Sequence, residues 1–241
     1  MFRHTADVYD LLYAAMGKDY AAESTALHEL IQERAPGAES LLDVACGTGG
    51  HLVHLQQWYE VVGVDVERSM LDEARRRLPA VTFAEADMRR FSLHRTFDSV
   101  MCLFSAIGYM ESEDDLDRAV ATMVAHLGPG GVFVMDGWVR PDAWREDKPI
   151  HLLTAADATV TVARMSRSRR EGNRTFLDMH YLIGSHDGLR HEYELHDMTL
   201  FEPEQYEAAL QRAGLIAIET LPSPSPGRDR YVGVTEPHRP T

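Results

Sequence analysis

The stretch LLDVACGTGGHL, Leu41 to Leu52, begins as an apolar run, breaks into glycines and resumes as a helix-like pattern. This pattern predicts a buried strand, a tight turn and the start of a helix. The turn does not match the phosphate-binding loops, because no lysine follows it as in a P-loop and the third glycine of a dinucleotide motif is absent. Its ligand therefore has to be inferred from the segments around it.

The segments after this turn alternate between strand-like and helix-like patterns. Near-continuous apolar runs such as EVVGVDV (60–66) and FDSVMCLF (97–104) are typical of strands that helices cover on both faces. Amphipathic stretches such as ERSMLDEARRRL (67–78) lie between them. The alternation predicts an α/β fold, with a Rossmann-like, doubly wound and mostly parallel sheet flanked by helices.

The pattern changes after about residue 150. Three segments with stronger alternation, 158–168, 174–184 and 189–201, predict three antiparallel strands as an added layer over the main sheet. A helix and two short strands follow, and these strands are expected to pair as a closing hairpin. We therefore expect three parts: a core over 1–150, a β insertion over 151–200, and a return to the core over 201–241.

The composition restricts the classes of partner. The chain has 241 residues, 44% of them hydrophobic and 26% charged, which is typical of a globular protein. Its formal net charge of -14 disfavours nucleic acid as a partner, because phosphate backbones require clustered basic side chains. No apolar run is long enough to span a membrane, and no signal peptide is visible. Cys46 and Cys102 lie in apolar strand-like runs, which indicates reduced core thiols in a cytoplasmic protein.

The polar residues at the predicted strand ends indicate the ligand. In an open parallel sheet, ligands bind beyond the carboxyl ends of the strands, where the strand order reverses. Asp65 ends the second strand and can accept hydrogen bonds from ribose hydroxyls, and Asp87 ends the third and can accept one from an adenine amino group. The turn from Cys46 to Gly49, which includes Gly47, would border an amino-acid tail. A ligand with adenosine and an amino acid but no phosphates is S-adenosylmethionine.

The joint occurrence of LLDVACGTG, GVDVERSM and AEADMRRF, in this order, resembles the class I S-adenosylmethionine-dependent methyltransferases. Other segments narrow the resemblance to the N,N-dimethyltransferases that complete the amino sugars of macrolide antibiotics. These segments are GKDYAAE (17–23), CLFSAIG (102–108), MHYLI (179–183), TLFEPEQYEAAL (199–210) and SPGRDRYVG (225–233). The likeness extends from about Tyr9 to Val234. It implies methylation of the amine of a nucleotide-linked (dTDP) amino-deoxysugar, with an N,N-dimethyl sugar as the product.

The resemblance also assigns residues to the cofactor and to the substrate. For S-adenosylmethionine it implies a set that surrounds the methionine end, the ribose and the adenine: Tyr9, Tyr20, Ala45, Cys46, Gly47, Gly49, Asp65, Asp87, Met88 and Leu103. For the sugar nucleotide it implies Tyr109, Trp138, Arg164 and Arg228.

Two segments depart from the family pattern. The relatives read Ser-Ile-Gly-His where this chain has Ala106-Ile107-Gly108-Tyr109. A tyrosine with an ordinary pKa of roughly 10 is a poor base near neutral pH, so we expect Tyr109 to orient the amine by hydrogen bonding and not to act as an essential base. An aromatic Pro-Trp-Trp-Phe stretch of the relatives is DGWVRPDAW (136–144) here. Both changes concern the identity of the sugar more than the reaction.

Other functions stay open on the sequence alone. The acceptor could be another small molecule, methylated on nitrogen or oxygen, and a fold relative could bind the cofactor without catalysis. No metal site is expected, because His191 and His196 lie on opposite faces of an alternating strand. The predicted partners are a small-molecule nucleotide sugar and a second copy of the chain in a homodimer. The sequence does not decide between a C-3 and a C-4 amine.

Overall fold

A computed structural model describes residues 4–237, which form six α-helices, one 3₁₀ turn and eleven strands. The helices are α1 Ala6–Ala15, α2 Tyr20–Arg34, α3 Leu52–Leu55, α4 Arg68–Arg77, α5 Glu113–Val124 and α6 Pro203–Arg212, and the 3₁₀ turn is Ala106–Tyr109. The strands are β1 Ser40–Val44, β2 Glu60–Asp65, β3 Thr82–Glu85, β4 Phe97–Cys102, β5 Leu127–Asp136, β6 His151–Ala156, β7 Val160–Glu171, β8 Arg174–Ser185, β9 Gly188–Thr199, β10 Ile216–Pro222 and β11 Asp229–Val234.

The main sheet has seven strands in the order β3-β2-β1-β4-β5-β11-β10. Strands β1 to β5 pair in parallel, whereas β11 is antiparallel to both β5 and β10. This topology confirms the predicted α/β fold and the predicted closing hairpin. The strand order reverses between β1 and β4, so the loops that follow these two strands face each other across a crevice.

Burial on both faces explains the apolar strands. Leu42, Val100 and Phe133 belong to one apolar cluster, together with residues of α5 and α6. Their chain neighbours Leu41, Met101 and Val134 belong to a second cluster, which includes residues of α2 and α4. Because side chains alternate between the faces of a strand, a run that is apolar at every position needs a cover on both sides.

A second sheet has the order β6-β7-β8-β9 and is antiparallel throughout. One face packs against α1, where Val162, Tyr181 and Ile183 contact the side chains of Val8 and Leu12. This layer therefore holds α1 beside the carboxyl edge of the main sheet. The division of the chain into 1–150, 151–200 and 201–241 stays a prediction.

Two details of the predicted elements are wrong. Strand β6 was missed, and its side chains are half-buried or exposed along its whole length, so it lacks the apolar pattern of a covered strand. The helix that the sequence predicts after the glycine turn is a single turn, α3. It ends early because Trp58 and Tyr59 pack against α2, where the Trp58 ring stacks on His28 at 4.2 Å and the Tyr59 hydroxyl is 2.9 Å from His28 Nδ1.

Among the described residues, no helix has the length and apolar character that a membrane-spanning segment requires.

A buried ion pair joins the antiparallel edge to the crevice. Arg230 on β11 donates from Nε to Asp136 Oδ1 on β5 at 2.7 Å, and both side chains are about nine-tenths buried. Asp136 Oδ2 also accepts the backbone N–H of Phe104 at 3.1 Å. Phe104 and Ser105 have φ values of 57° and 64°, a left-handed conformation that non-glycine residues rarely adopt. The Asp136 carboxylate therefore stabilises the corner that follows β4.

We expect Arg230→Met to lower the free energy of unfolding by about 3–5 kcal/mol, because Asp136 would keep a buried charge without its partner. The matched control is Arg212→Met, since Arg212 pairs with Asp117 at the surface and such pairs contribute about 1 kcal/mol or less. Urea unfolding of both variants measures the difference. Equal losses for the two variants would contradict a structural role for the buried pair.

Candidate active site

The turn after β1 has the backbone geometry that the glycine motif predicts. Ala45, Gly47 and Gly49 have φ values of 60°, 55° and 75°. A methyl group added at Gly47 would meet no atom within 4 Å, so the requirement for glycine there is conformational. At Gly50 an added Cβ would lie 2.7 Å from the Tyr20 ring, so glycine there allows Tyr20 to approach the turn.

Asp65 connects this turn to the end of β2. Its Oδ2 accepts the Gly47 N–H at 2.8 Å, and its Oδ1 accepts the Glu67 N–H at 2.8 Å. The carboxyl group is 7% exposed, and burial raises its pKa although these N–H groups lower it. Each oxygen keeps a second lone pair, so Asp65 can still accept from the two hydroxyls of a ribose.

The crevice contains a cavity of about 350 Å³. The structure brings together around it most of the residues that the sequence assigns to the site, namely Tyr9, Tyr20, Ala45, Cys46, Gly47, Asp65, Leu103, Tyr109, Trp138, Arg164 and Arg228. Asp87 and Met88 line an adjoining cavity, which Asp65 and Tyr109 also border. Gly49 faces α4 instead, with its added Cβ position 3.3 Å from Leu78.

Asp87 is an ionised acceptor in the adjoining cavity. Its Oδ1 accepts the Arg89 backbone N–H at 2.9 Å and the Arg89 Nε–H at 3.0 Å. The hydrogen bond from the Arg89 side chain lowers the pKa of Asp87. An ionised carboxylate only accepts hydrogen bonds, which suits the predicted contact with an adenine amino group.

Helix α1 and the start of α2 cover the main cavity with aromatic rings. The Tyr9 and Tyr13 rings lie 4.4 Å apart, and Tyr13 also meets the edge of Phe104 at 5.0 Å. The Thr48 hydroxyl donates to Asp10 Oδ1 at 2.9 Å, which fixes α1 on the glycine turn. The aromatic cover therefore shields the cavity from water while leaving it lined by ring faces and edges.

Asp43 is a cavity residue that the sequence interpretation missed. It is 3% exposed on β1, and burial together with the nearby Asp65 raises its pKa well above the usual range. A carboxyl group inside an otherwise apolar strand, LLDV, is the signal that could have revealed it. Two buried carboxyl groups beside several tyrosine rings fit a ligand with a sulfonium and an ammonium group, such as S-adenosylmethionine.

Two arginines also line the main cavity. Arg164 on β7 is 4% exposed, and Arg228 is half-buried, with its guanidinium 4.4 Å from the centre of the Trp138 ring. Arg228 Nη1 donates to Ser105 Oγ at 3.2 Å. Within residues 4–237, the Nε atoms of both arginines are buried without a hydrogen-bond partner. Burial lowers the pKa of Arg228, so a bound anion would relieve an electrostatic cost.

The two segments that depart from the family pattern differ in their position relative to the cavity: Tyr109 of the first lines it, whereas Arg140 of the second (136–144) does not. Tyr109 lines the cavity, and its hydroxyl is 2.6 Å from His196 Nδ1. Burial raises the pKa of Tyr109 well above its usual range, so the phenol is neutral. Arg140 points elsewhere and pairs with Asp229 at 2.8 Å. The sequence interpretation missed His196 as a site residue, because only the packing of β9 against the 3₁₀ turn brings its ring to Tyr109.

The raised pKa of Asp43 predicts how stability depends on pH. The folded protein keeps a proton on Asp43 that the unfolded chain loses above about pH 4, so this group costs stability as the pH rises toward neutrality. We expect Asp43→Asn to raise the Tm of the ligand-free protein near pH 7 but not near pH 4. The same variant should bind S-adenosylmethionine about tenfold or more weakly, because a bound cation favours loss of the Asp43 proton and an amide cannot ionise to pair with it.

Thermal unfolding at both pH values and titration calorimetry measure these effects. Asp72→Asn is the matched control, because the Asp72 side chain is 58% exposed. A Tm gain for Asp43→Asn that is the same at both pH values would contradict the titration of this carboxyl group.

Comparison with known proteins identifies the family. The model of a methyltransferase domain matches residues 41–131. The chain is 43% identical over 231 residues to a dTDP-3-amino-3,4,6-trideoxy-alpha-D-glucopyranose N,N-dimethyltransferase of Streptomyces venezuelae, which covers 95% of this chain and 97% of the relative. It is 38% identical to a dTDP-4-amino-2,3,4,6-tetradeoxy-D-glucose N,N-dimethyltransferase of Saccharopolyspora spinosa, over 95% of this chain and 92% of the relative.

Solved structures give the same result. The crystal structure of DesVI from Streptomyces venezuelae superimposes with a TM-score of 0.90 at 42% identity, over 95% of this chain and 98% of that one. The S-adenosylmethionine-bound structure of CalS10, an amino pentose methyltransferase of calicheamicin biosynthesis from Micromonospora echinaspora, gives 0.83 at 36% identity, over 94% and 96%. The chain is therefore an S-adenosylmethionine-dependent methyltransferase and belongs to the family of the dTDP-amino-sugar N,N-dimethyltransferases.

Proposed function

We propose that this enzyme transfers methyl groups from S-adenosylmethionine to the amine of a dTDP-linked amino-deoxysugar and yields an N,N-dimethyl sugar for antibiotic biosynthesis. The observation that carries this proposal is the pair of arginines, Arg164 and Arg228, in the same cavity as the glycine turn and Asp65. Guanidinium groups bind diphosphates well because their planar N–H donors match phosphate oxygens. The printed activities of the relatives support this acceptor.

Each group of residues that lines the two cavities has its own role in the proposal. Bound S-adenosylmethionine supplies an electrophilic methyl group on a sulfonium. In the proposal Asp65 holds the ribose, Asp87 and Met88 lie at the adenine, and the glycine turn holds the amino-acid tail with Tyr9 and Tyr20. Arg164 and Arg228 hold the diphosphate, so that the amine lies near Tyr109 and Leu103.

Positioning accounts for most of the proposed rate enhancement. Holding two reactants in line can supply up to roughly 7–11 kcal/mol of a barrier. The Trp138 side chain is fixed for this task, since its indole Nε1–H donates to Thr175 Oγ1 at 3.0 Å. With Arg228 stacked on the ring, the position of the anion is coupled to a rigid indole.

We also infer a cytoplasmic location and a homodimer. The buried thiols of Cys46 and Cys102 suit a reducing compartment. The face of the second sheet that turns away from α1 carries a set of apolar side chains with 41–61% exposure: Leu152, Met165, Leu182, Tyr193 and Leu195. Several exposed apolar side chains on one sheet face support pairing with a second copy of the chain.

The acceptor is tested by incubating the protein with S-adenosylmethionine and a panel of dTDP-amino sugars that carry the amine at C-3 or C-4. Mass spectrometry should detect products that have gained two methyl groups, with release of S-adenosylhomocysteine. Absence of a mass gain on every sugar, together with transfer to an unrelated small molecule, would contradict the proposal.

The arginine role is tested by Arg228→Met. We expect the KM for the dTDP-sugar to rise about 10- to 100-fold, because charge-assisted hydrogen bonds contribute roughly 1.5–3 kcal/mol. Affinity for S-adenosylmethionine should stay unchanged. The matched control is Arg167→Met, because Arg167 is exposed on the same strand as Arg164. An unchanged KM in the Arg228 variant would place the diphosphate elsewhere.

A further inference from the structure

His196 forms a short hydrogen bond with the tyrosine that lines the acceptor end of the cavity. Its Nδ1 lies 2.6 Å from the Tyr109 hydroxyl oxygen. The His196 side chain is 2% exposed on β9, and its other ring nitrogen, Nε2, lies 3.6 Å from Glu194 Oε2. Glu194 and His196 are two residues apart on one strand, so their side chains share a face. The three groups therefore form a line from a buried carboxylate to the cavity.

Glu194 is held in place and ionised. Both of its carboxylate oxygens accept from the Thr5 hydroxyl at 3.0 Å, and Oε1 also accepts the His4 N–H at 3.2 Å. Burial alone would raise the pKa of Glu194, but the adjacent His196 ring and the hydrogen bonds from His4 and Thr5 lower it overall. A fixed negative charge therefore stands on the Nε2 side of the His196 ring.

This charge selects one tautomer of His196. A carboxylate beside Nε2 favours the proton on that nitrogen, which leaves the Nδ1 lone pair to accept the Tyr109 O–H. Burial lowers the pKa of His196, so the ring is neutral near pH 7 and Nδ1 is available as an acceptor. Arg164 on β7 also lies near this ring, and its charge disfavours the imidazolium. Tyr109 Oη, having donated its proton toward His196, keeps its lone pairs for the cavity.

We propose that Tyr109, His196 and Glu194 form a relay that removes the proton from the acceptor ammonium before each methyl transfer. This proposal rests on the proposed amine acceptor. The ammonium N–H proton passes to Tyr109 Oη, while the Tyr109 hydroxyl proton passes to His196 Nδ1. The amine keeps the electron pair of its broken N–H bond and becomes the nucleophile. The phenol stays neutral, and His196 becomes an imidazolium that the Glu194 carboxylate stabilises.

The relay assigns different tasks to its members. Tyr109 contacts the amine, whereas His196 and Glu194 act through Tyr109 and are positioning residues. A phenol alone is a poor base, because its pKa lies far above neutrality. With His196 behind it, the hydroxyl can accept a proton without ever becoming a phenolate. In the relay, a tyrosine with a high pKa can therefore still take a proton from the acceptor amine.

The first test observes the tautomer directly in the ligand-free protein. Nitrogen-15 NMR of histidine-labelled enzyme near pH 7 should show the His196 ring neutral, with its proton on Nε2, and His196→Asn identifies the signal by its loss. Tyr109→Phe should shift the Nδ1 resonance, because it removes the donor. A proton on Nδ1, or an imidazolium near pH 7, would overturn the relay.

The second test measures kcat/KM for the amino sugar against pH. His196→Asn keeps an acceptor for the Tyr109 hydroxyl but cannot take up a proton. Its kcat/KM relative to wild type should fall about tenfold or more between pH 9 and pH 7, because the variant then depends on the free amine present in solution. A ratio that is constant with pH would indicate a purely structural role and overturn the relay.

Two further variants make the result decisive. Glu194→Gln should show the same pH-dependent loss, which covers the case in which His196→Asn fails to fold. His191→Asn, on the same strand but exposed, should keep the wild-type profile. Failure of the wild-type enzyme to methylate any amino sugar would contradict the proposed function, whereas the NMR tautomer tests the relay independently of that result.

Discussion

Two buried carboxylates hold the loops on either side of the point where the strand order reverses. Asp65 accepts backbone N–H groups from the glycine turn and from the start of α4, and Asp136 accepts the Phe104 N–H at the corner after β4. Both loops adopt left-handed backbone angles that are unfavourable for most residues. Because each carboxylate uses backbone donors, the loops are fixed before any ligand binds, and the cavity between them is preformed.

Acidic and basic side chains both line this cavity. Asp65 holds the glycine turn, with Asp43 beside it, whereas Arg228 lies on the Trp138 ring and Arg164 lines the same cavity. We expect a cationic methyl donor at the acidic groups and an anionic sugar nucleotide at the arginines. Their reactive groups would then meet beside Tyr109, which lines the same cavity. The overall charge of -14 does not prevent anion binding, because only the local arginines contribute strongly at short range.

The sequence predicted the sheet well because its strands are covered on both faces, which leaves apolar runs that cannot be mistaken. Strand β6 was missed because it is an exposed edge strand, and its sequence therefore has no continuous apolar run. Asp65 was found because it ends a strand. Asp43 and His196 were missed because their significance depends on tertiary packing. Asp43 is buried beside Asp65, and His196 on β9 meets Tyr109 of the 3₁₀ turn. Arg164 was assigned by resemblance, since an arginine on an alternating strand gives no local sign of burial.

We infer that one cavity at the strand reversal takes both substrates, with the methyl donor at the acidic side chains and the diphosphate at the arginines. A crystal structure with S-adenosylhomocysteine and dTDP tests it most directly. We expect the ribose of S-adenosylhomocysteine at Asp65 and the diphosphate of dTDP between Arg164 and Arg228, with Tyr109 facing the space between them. Ordered dTDP bound outside this cavity, with Arg164 and Arg228 free of phosphate, would contradict it.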